Sequence, residues 1–506
     1  MNQSEKSSHG QIIKSSALIG GSTVINVFLR MVRNKVMALL LDTSGLGLFG
    51  NFDRTSDLVR TIAGMGINVS GVRQIAEAVG TQDEERIART ITSLRRVAVL
   101  TGALGALLLL VFCRQVSWIM FKDTDHAKAV ALLALAVFFA DVSAGQTALV
   151  QGMRRISDLA KLSVWGAVYA TLFSIPIIYF YGESGVVPSM VCAAGMTILT
   201  SWWDARTVKV KTAVLSWREL KGEASGLLRL GVVFMASGFL QMVGPFVVQA
   251  ILTRRLGLSA AGLYQSAFAV GGVYLGYVLQ AMAADFYPRL SGIAKDNSAC
   301  NRLVNEQVEV GLLVAGPGVL ATLALAPLMI RVFYSEKFGD AENVLRWICL
   351  GMLLRVASWP LGFLLMAKGE RKIYFWTEFG STAAYIGLIW ACVHQWGLTG
   401  AGIAFFGSYI AYTVGICVIA RSLTGFKWSP ANLRLAALFI PLIAAVFVGW
   451  YFLPPLAIAI GGALAALVTG GFSLRTICTL IPLQRLPRAA QRLLALFRLA
   501  PVANGV

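Results

Sequence analysis

Arg30, Arg33 and Lys35 lie inside an apolar stretch, residues 16–41, that is long enough to cross a bilayer. The next stretch, residues 46–69, carries Asp53, Arg54, Asp57 and Arg60. An ionised side chain at the bilayer centre costs about 2.5–3.5 kcal/mol on insertion scales, so such groups are rarely left facing lipid. Their spacing gathers them. Asn26, Arg30 and Arg33 share one face of a helix, and Asp53, Asp57, Arg60, Gly64 and Asn68 form a stripe on another. A wet internal cavity is therefore expected, lined by five cations and two carboxylates. Arginine grips phosphate oxygens through two parallel hydrogen bonds, so the cargo this pattern fits is an anion of the phosphate kind. The alternative is that Asp53 and Asp57 simply pair with Arg54, Arg60 or the cations of the first stretch.

Further in-span polar groups extend the candidate site. Arg355 is a sixth in-span cation, with Asp141 as a conceivable local partner. Asp53, Asp57, Asp141, Glu309 and Glu378 are the carboxylates that could couple to an ion, because burial raises a carboxyl pKa. Glu309 and Glu378 both lie near span ends, which favours interfacial solvation over ion coupling for these two. Gln241, Gln249, Gln265 and Gln280, with Asn26, supply neutral amides that donate to and accept from sugar hydroxyls. An ionic wall facing an amide wall suits an amphiphile with a charged phosphate part and a hydroxyl-rich part.

The elements that position these residues follow from composition. Of 506 residues, 57% are hydrophobic and 14% charged, where soluble domains carry about 25% charged residues. The mean hydropathy is +0.70. This is an all-α polytopic membrane protein, read as about fourteen spans with limits near 16–41, 46–69, 95–113, 128–150, 162–181, 186–205, 227–253, 262–285, 306–331, 342–367, 373–394, 399–420, 433–452 and 455–474. With the N-terminus placed in the cytoplasm, 30 Lys and Arg fall in inside segments and 8 in outside ones, so both termini are expected on the cytoplasmic side. The net charge of +19 thus reflects membrane topology, and no nucleic-acid partner is expected. No removable signal peptide is read at the N-terminus. The seven cysteines are scattered singly and read as small buried hydrophobes; no cofactor is called for.

An internal duplication organises the spans. LVQGMRRI at 149–156 matches MAKGERKI at 366–373, an offset of 217. Gly47-Leu48-Phe49 matches Gly262-Leu263-Tyr264, and Tyr181-Gly182 with Gly185 matches Trp396-Gly397 with Gly400, both at 215. Ala205-Arg206 matches Ala420-Arg421 at 215, and Arg30 falls opposite Gln241 at 211. The expected domains are a six-helix lobe over 1–215, a second over 216–427, and two added helices with a basic cytoplasmic tail over 428–506. Two pseudo-symmetric copies of six spans would share an axis along the membrane normal, with the site at their interface.

The segments SGLGLFGNF (44–52), DFYPRLSGIA (285–294), NRLVNEQVEVGLLVAGPG (301–318) and LAPLMIRVFYSEKF (325–338) resemble the Wzx-type O-antigen or lipid-linked oligosaccharide translocases, polysaccharide transporters of the multidrug/oligosaccharidyl-lipid/polysaccharide flippase superfamily. The resemblance spans roughly residues 15–425 and is most specific around Asn305-Glu306-Gln307. It implies two six-helix bundles in a MATE-like V with two extra helices. It also implies transfer of undecaprenyl-pyrophosphate-linked oligosaccharide from the cytoplasmic to the periplasmic leaflet of the bacterial inner membrane. Membrane lipids, a polysaccharide polymerase and the chain-length machinery are the associated partners. A cationic cavity for the pyrophosphate is a feature of that family, and Arg30, Arg33, Arg60 and Arg355 are the positions here that suit it.

Other classes fit less well. A drug antiporter of the same fold exporting organic cations calls for an acidic cavity. An enzyme of polysaccharide assembly calls for a sizeable outer loop, and no HExxH, GxSxG or P-loop motif occurs. A scaffold without transport gives no reason for ionised groups in the first two spans.

Overall fold

The computed structural model describes residues 3–81, 83–207 and 216–480; the basic tail with Arg485, Arg488, Arg492 and Arg498 lies outside them. Helix is the only regular secondary structure among the described residues. In lipid a backbone must satisfy its own hydrogen bonds, and helices do so within one segment. The helices run α1 (Gln3–Ala63), α2 (Ile67–Gly80), α3 (Glu84–Val111), α4 (Cys113–Phe121), α5 (Ala127–Gly152), α6 (Ile156–Tyr181), α7 (Val186–Arg206), α8 (Trp217–Leu256) and α9 (Leu258–Gly292). They continue with α10 (Asn297–Ala324), α11 (Ala326–Phe333), α12 (Ala341–Ala367), α13 (Arg371–Thr424), α14 (Pro430–Phe452) and α15 (Pro455–Leu480). Eight described stretches are long and apolar enough to cross a membrane, and two of them, 156–206 and 371–424, are each broken midway into two span-length pieces.

The expected first and second spans are one interrupted helix. α1 breaks at Asp42, whose φ of 58° and ψ of −164° no helix contains. The second span ends early, at a turn through Met65 and Gly66 with φ 45° and 64°, and α2 follows it.

The duplication is written in the backbone. Asp42 and Gly257 both take positive φ with extended ψ, 215 residues apart. Gly182 (φ 56°, ψ −137°) and Gly397 (φ 55°, ψ −137°) are likewise 215 apart. Arg154 (φ 57°) and Gly369 (φ 76°) form a third such pair. The hydrogen bonds Arg155 N–H to Val150 O and Glu370 N–H to Leu365 O repeat in the same register. This corrects two expectations. The motif at 149–156 is equivalent to 364–371, not 366–373, because turn geometry and not side-chain identity sets the alignment. Asp141 therefore corresponds to Val356 and not to Ser358, and counting back from the Asp42 and Gly257 breaks puts Pro245, not Gln241, opposite Arg30.

Packing divides the chain at a different point from the repeat. One compact unit holds the residues up to Leu263 together with Phe333–Lys337; the other holds Tyr264–Val332 and the residues from Phe338 on. In the first unit, Ile67 and Ile75 of α2, Leu94 of α3, Leu149 of α5, Ala205 of α7, and Leu220 and Leu227 of α8 bury one another in a single cluster. Apolar contact thus draws α8 onto helices of the first copy. The crossing of α1 with the start of α9 depends on two glycines. A Cβ on Gly47 would stand 2.0 Å from the Leu258 carbonyl oxygen, and one on Gly262 would stand 2.0 Å from that of Thr43. Thr43 and Leu258 are themselves a repeat pair, so this close approach is locally two-fold.

In the second unit α14 and α15 pack on α10. A Cβ on Gly316 would meet the Phe439 ring at 2.5 Å, and one on Gly462 would meet Ala324 Cβ at 2.5 Å. The expected add-on helices are therefore fixed to the fold by small-residue contacts of the kind membrane helices use.

Side chains cap the starts of α3, α8, α10 and α14. Asp83 accepts hydrogen bonds from the N–H groups of Glu85 (2.9 Å) and Arg86 (3.2 Å), and Asp296, which caps α10, accepts from Ala299 N–H (3.0 Å). Ser216 and Glu219 form a capping box on α8, and the hydrogen bonds from Ser216 hold the Glu219 carboxyl below its usual range. Asp83→Ala is expected to cost about 1 kcal/mol, seen as a fall of a few degrees at most in the detergent melting temperature. An unchanged melt would mean that the α3 start is held by tertiary packing alone.

Candidate functional site

The first unit brings the α1 charges together. Asp57 lies within electrostatic reach of Asp53, Arg60, Arg54 and Arg30, and Arg33 lies within reach of Asp53 and Arg30. Arg54 and Asp57 approach to 4.0 Å, with each side chain about one-third exposed. The break at Asp42 folds the two halves of α1 back so that residues 30–33 of one face residues 53–60 of the other. Lys337 Nζ holds the Asp42 carboxylate at 2.6 Å, and the Asp42 backbone takes a conformation that its counterpart, a glycine, adopts without strain.

The carboxylate that pairs with Arg60 comes from elsewhere in the chain. Arg60 Nε donates to Asp141 Oδ1 at 3.2 Å, across 81 residues of sequence. Asp141 is 6% exposed, and its Oδ2 is buried with no hydrogen-bond partner among the described residues. Asp141 had been weighed as a partner for Arg355. Arg355 instead stands in the second unit, half-buried, with no carboxylate paired to it among the described residues. Adding Asp141 sets the five in-span cations of α1 against three carboxylates, a smaller cationic excess than α1 alone suggests.

The remaining expected residues divide. The Lys35 ammonium donates to the Tyr334 carbonyl oxygen. Arg33 stacks its guanidinium 5.4 Å from the Phe49 ring centre, and its Nε is buried without a hydrogen-bond partner among the described residues. Asn26 Nδ2 donates to Ser163 Oγ at 2.5 Å. Gln249 is 4% exposed and its Nε2 has no hydrogen-bond partner among the described residues, whereas Gln241 is exposed. In the second unit, Gln265 has a buried unpartnered Oε1, Gln280 is exposed and Glu309 is half-buried. Glu378 accepts a 3.0 Å hydrogen bond from Tyr412 Oη.

A cavity of about 380 Å³ opens beside Arg60. Ser143, Thr147 and Gln151 line it from α5, Thr197 from α7 and Asn68 from α2. Sequence reasoning placed Asn68 on the Arg60 stripe but missed the α5 wall. The i, i+4, i+8 spacing of Ser143, Thr147 and Gln151 was the available signal. The arrangement offers an anion-binding group at the edge of a neutral, hydroxyl- and amide-lined hollow.

Known proteins bear on this geometry. The sequence profile described as "Polysaccharide biosynthesis protein" matches residues 36–343, more than half of the chain. The chain is 20% identical over 406 residues to the "Lipid III flippase" of Escherichia coli (strain K12), covering 79% of this chain and 96% of that protein. It is 23% identical over 349 residues to a "Putative O-antigen transporter" of Shigella flexneri, covering 67% and 81%. Among solved structures, an inward-facing MATE family multidrug transporter of the MOP superfamily superposes with a TM-score of 0.68 at 14% identity, covering 81% of this chain and 95% of that one. The lipid II flippase MurJ in its inward closed conformation gives 0.64 at 14% identity, covering 92% and 99%. The two structures share the fold, and the profile fixes the lineage: the chain belongs to the polysaccharide biosynthesis protein family.

Proposed function

We propose that this protein is a flippase that moves polyprenyl-pyrophosphate-linked oligosaccharide units, O-antigen or a related surface polysaccharide, from the cytoplasmic to the periplasmic leaflet of a bacterial inner membrane by alternating access. The observation that carries the reading is the cluster of Arg30, Arg33, Arg54 and Arg60 with Asp53, Asp57 and Asp141 inside apolar helices. Ionised groups at that depth are retained where they handle a substrate or a coupling ion. The cationic excess suits pyrophosphate, and guanidinium forks match its oxygens. The relatives named for lipid III and O-antigen carry cargo of this class. An exporter of organic cations has no use for a net cationic cluster, so the likeness to multidrug transporters extends to the fold alone.

In this reading the pyrophosphate meets Arg30, Arg33 and Arg60, with Lys35, Arg54 and Arg355 adding to the field along its route. The amides of Asn26, Gln241, Gln249, Gln265 and Gln280 take up polar groups of the glycan. Asp53, Asp57, Asp141, Glu309 and Glu378 are the groups able to exchange an ion. The six-helix lobes of 1–215 and 216–427 are the moving bodies, and both termini face the cytoplasm, a reading that the distribution of Lys and Arg supports. Polymerase and chain-length proteins would receive the product.

The test is the fate of lipid-linked oligosaccharide in cells lacking this protein. Undecaprenyl-pyrophosphate oligosaccharide is expected to accumulate in the inner leaflet and to clear when the wild-type gene is restored. Cells that lack the protein and accumulate no such lipid would reject the function.

A further inference from the structure

The 215-residue register places larger side chains in the second copy at the positions that form the hollow beside Arg60. Ala140, Ala144 and Ala148 of α5 and Ala194 of α7 line it. The equivalent positions hold Arg355, Trp359, Phe363 and Tyr409. There Trp359 and Phe363 pack edge to face at 4.7 Å, and Tyr409 packs on Tyr412, which itself stands where Thr197 stands in the first copy. The fold therefore tolerates large aromatic side chains at these positions. In the first copy small residues carve a space of about 380 Å³, within the range of small-molecule sites.

The chemistry of the wall is specific. Arg60 is the one charged group among the described lining residues. Thr147 Oγ1 donates to the Ser143 carbonyl (2.9 Å) and Thr197 Oγ1 to the Ala193 carbonyl (2.8 Å), so both hydroxyls leave lone pairs free to accept. The side-chain amides of Asn68 and Gln151 make no hydrogen bond among the described residues and can both donate and accept. Neutral groups of both kinds match hydroxyls and acetamido groups, each of which donates and accepts. Lining without carboxylates offers nothing to an organic cation, and lining without aromatic rings offers no stacking platform.

We propose that this hollow seats the sugar joined directly to the pyrophosphate, with Arg60 at its edge holding the adjoining phosphate. The proposal rests on the flippase reading and deepens it. Glycan selectivity at the reducing-end sugar then resides in α5 and α7, on the same unit as the phosphate-binding arginines.

The test uses the full-length protein in detergent and two probes: undecaprenyl-pyrophosphate oligosaccharide extracted from the source cells, and sugar-free undecaprenyl pyrophosphate. Ala144→Trp installs the residue of the other copy and fills the hollow. Thr147→Val with Gln151→Leu removes polar groups without filling it. Either variant is expected to weaken binding of the glycan-bearing lipid about tenfold or more, as the loss of one or two hydrogen bonds or of the space itself would. Binding of the sugar-free lipid and the ligand-free melting temperature are expected to stay within about twofold and a few degrees of wild type. Parallel loss of both probes, or loss of neither, would overturn the proposal. Equal binding of both probes by wild type would also overturn it while leaving the flippase reading intact. Binding of neither probe by wild type would reject both.

Discussion

Arg60→Ala is expected to abolish transport, and the double variant Arg60→Ala with Asp141→Ala is expected to regain stability without regaining transport. Two effects meet at this residue. Removing the guanidinium leaves Asp141, 6% exposed, as a buried charge whose second oxygen has no partner among the described residues. Breaking a buried pair from one side costs about 3–5 kcal/mol, and the lower end applies because Arg60 is itself one-third exposed. The second effect is loss of the phosphate contact. Truncating one member of a buried charge pair at a binding site costs about 2–5 kcal/mol, a fall of roughly thirtyfold or more in affinity. A double-mutant cycle separates them. The melting temperature of the double variant should recover toward wild type, because the orphaned carboxylate has gone. Clearance of inner-leaflet lipid-linked oligosaccharide should remain lost. A double variant that transports would reduce Arg60 to a partner for Asp141 and move the phosphate site to Arg30 and Arg33.

Asn305→Leu is expected to cost about 3 kcal/mol or more and to loosen the link between α13 and α14. Every polar valence of this amide is used. Asn305 Nδ2 donates to the carbonyls of Lys427 (3.0 Å) and Asn301 (2.8 Å). Its Oδ1 accepts from Ser429 N–H (2.8 Å) and Asn432 Nδ2 (2.9 Å). Asn301, one turn earlier on α10, exchanges hydrogen bonds with Thr424 in the same way, 2.8 Å to its carbonyl and 2.7 Å from its hydroxyl. Leucine would strand the partners of these bonds, at about 1–3 kcal/mol for each one left buried and unmet. Asn305→Asp keeps both acceptances and loses both donations, so its cost should be intermediate. The readouts are the detergent melt and the rate of proteolysis in the 424–432 linker. An unchanged melt in Asn305→Leu would mean that water replaces the clamp at no cost. Asn305, in the most family-specific phrase of the sequence, thus serves architecture: it fastens the α13–α14 linker and the start of α14 to α10, far in sequence from the α1 charges.

The sequence by itself determined that this chain lies in a membrane, that it is duplicated, and that α1 is exceptional. Each of these is a local or periodic property. Apolar length sets the spans, repeated landmarks at a near-constant spacing betray the duplication, and a charge inside an apolar run announces itself by its cost. The grouping of Arg30 and Arg33 with Asp53, Asp57 and Arg60 was legible for the same reason, since helical spacing places residues on faces.

Only the tertiary structure decided who pairs with whom. Asp141 meets Arg60 because α5 packs beside α1, and nothing in either segment names the other. Most landmarks already lay at 215, but side-chain likeness set 149–156 at an offset of 217, and only the backbone geometry of the turn brings that motif into the same register. The polar stripe of Ser143, Thr147 and Gln151 was legible by its spacing, but the empty space beside it was not, for a related reason. Alanines in an apolar helix read as ordinary filler, and they become a cavity only when the opposite helix also presents small residues. Pairing and empty space belong to helices far apart in sequence, so packing decides them and periodicity does not.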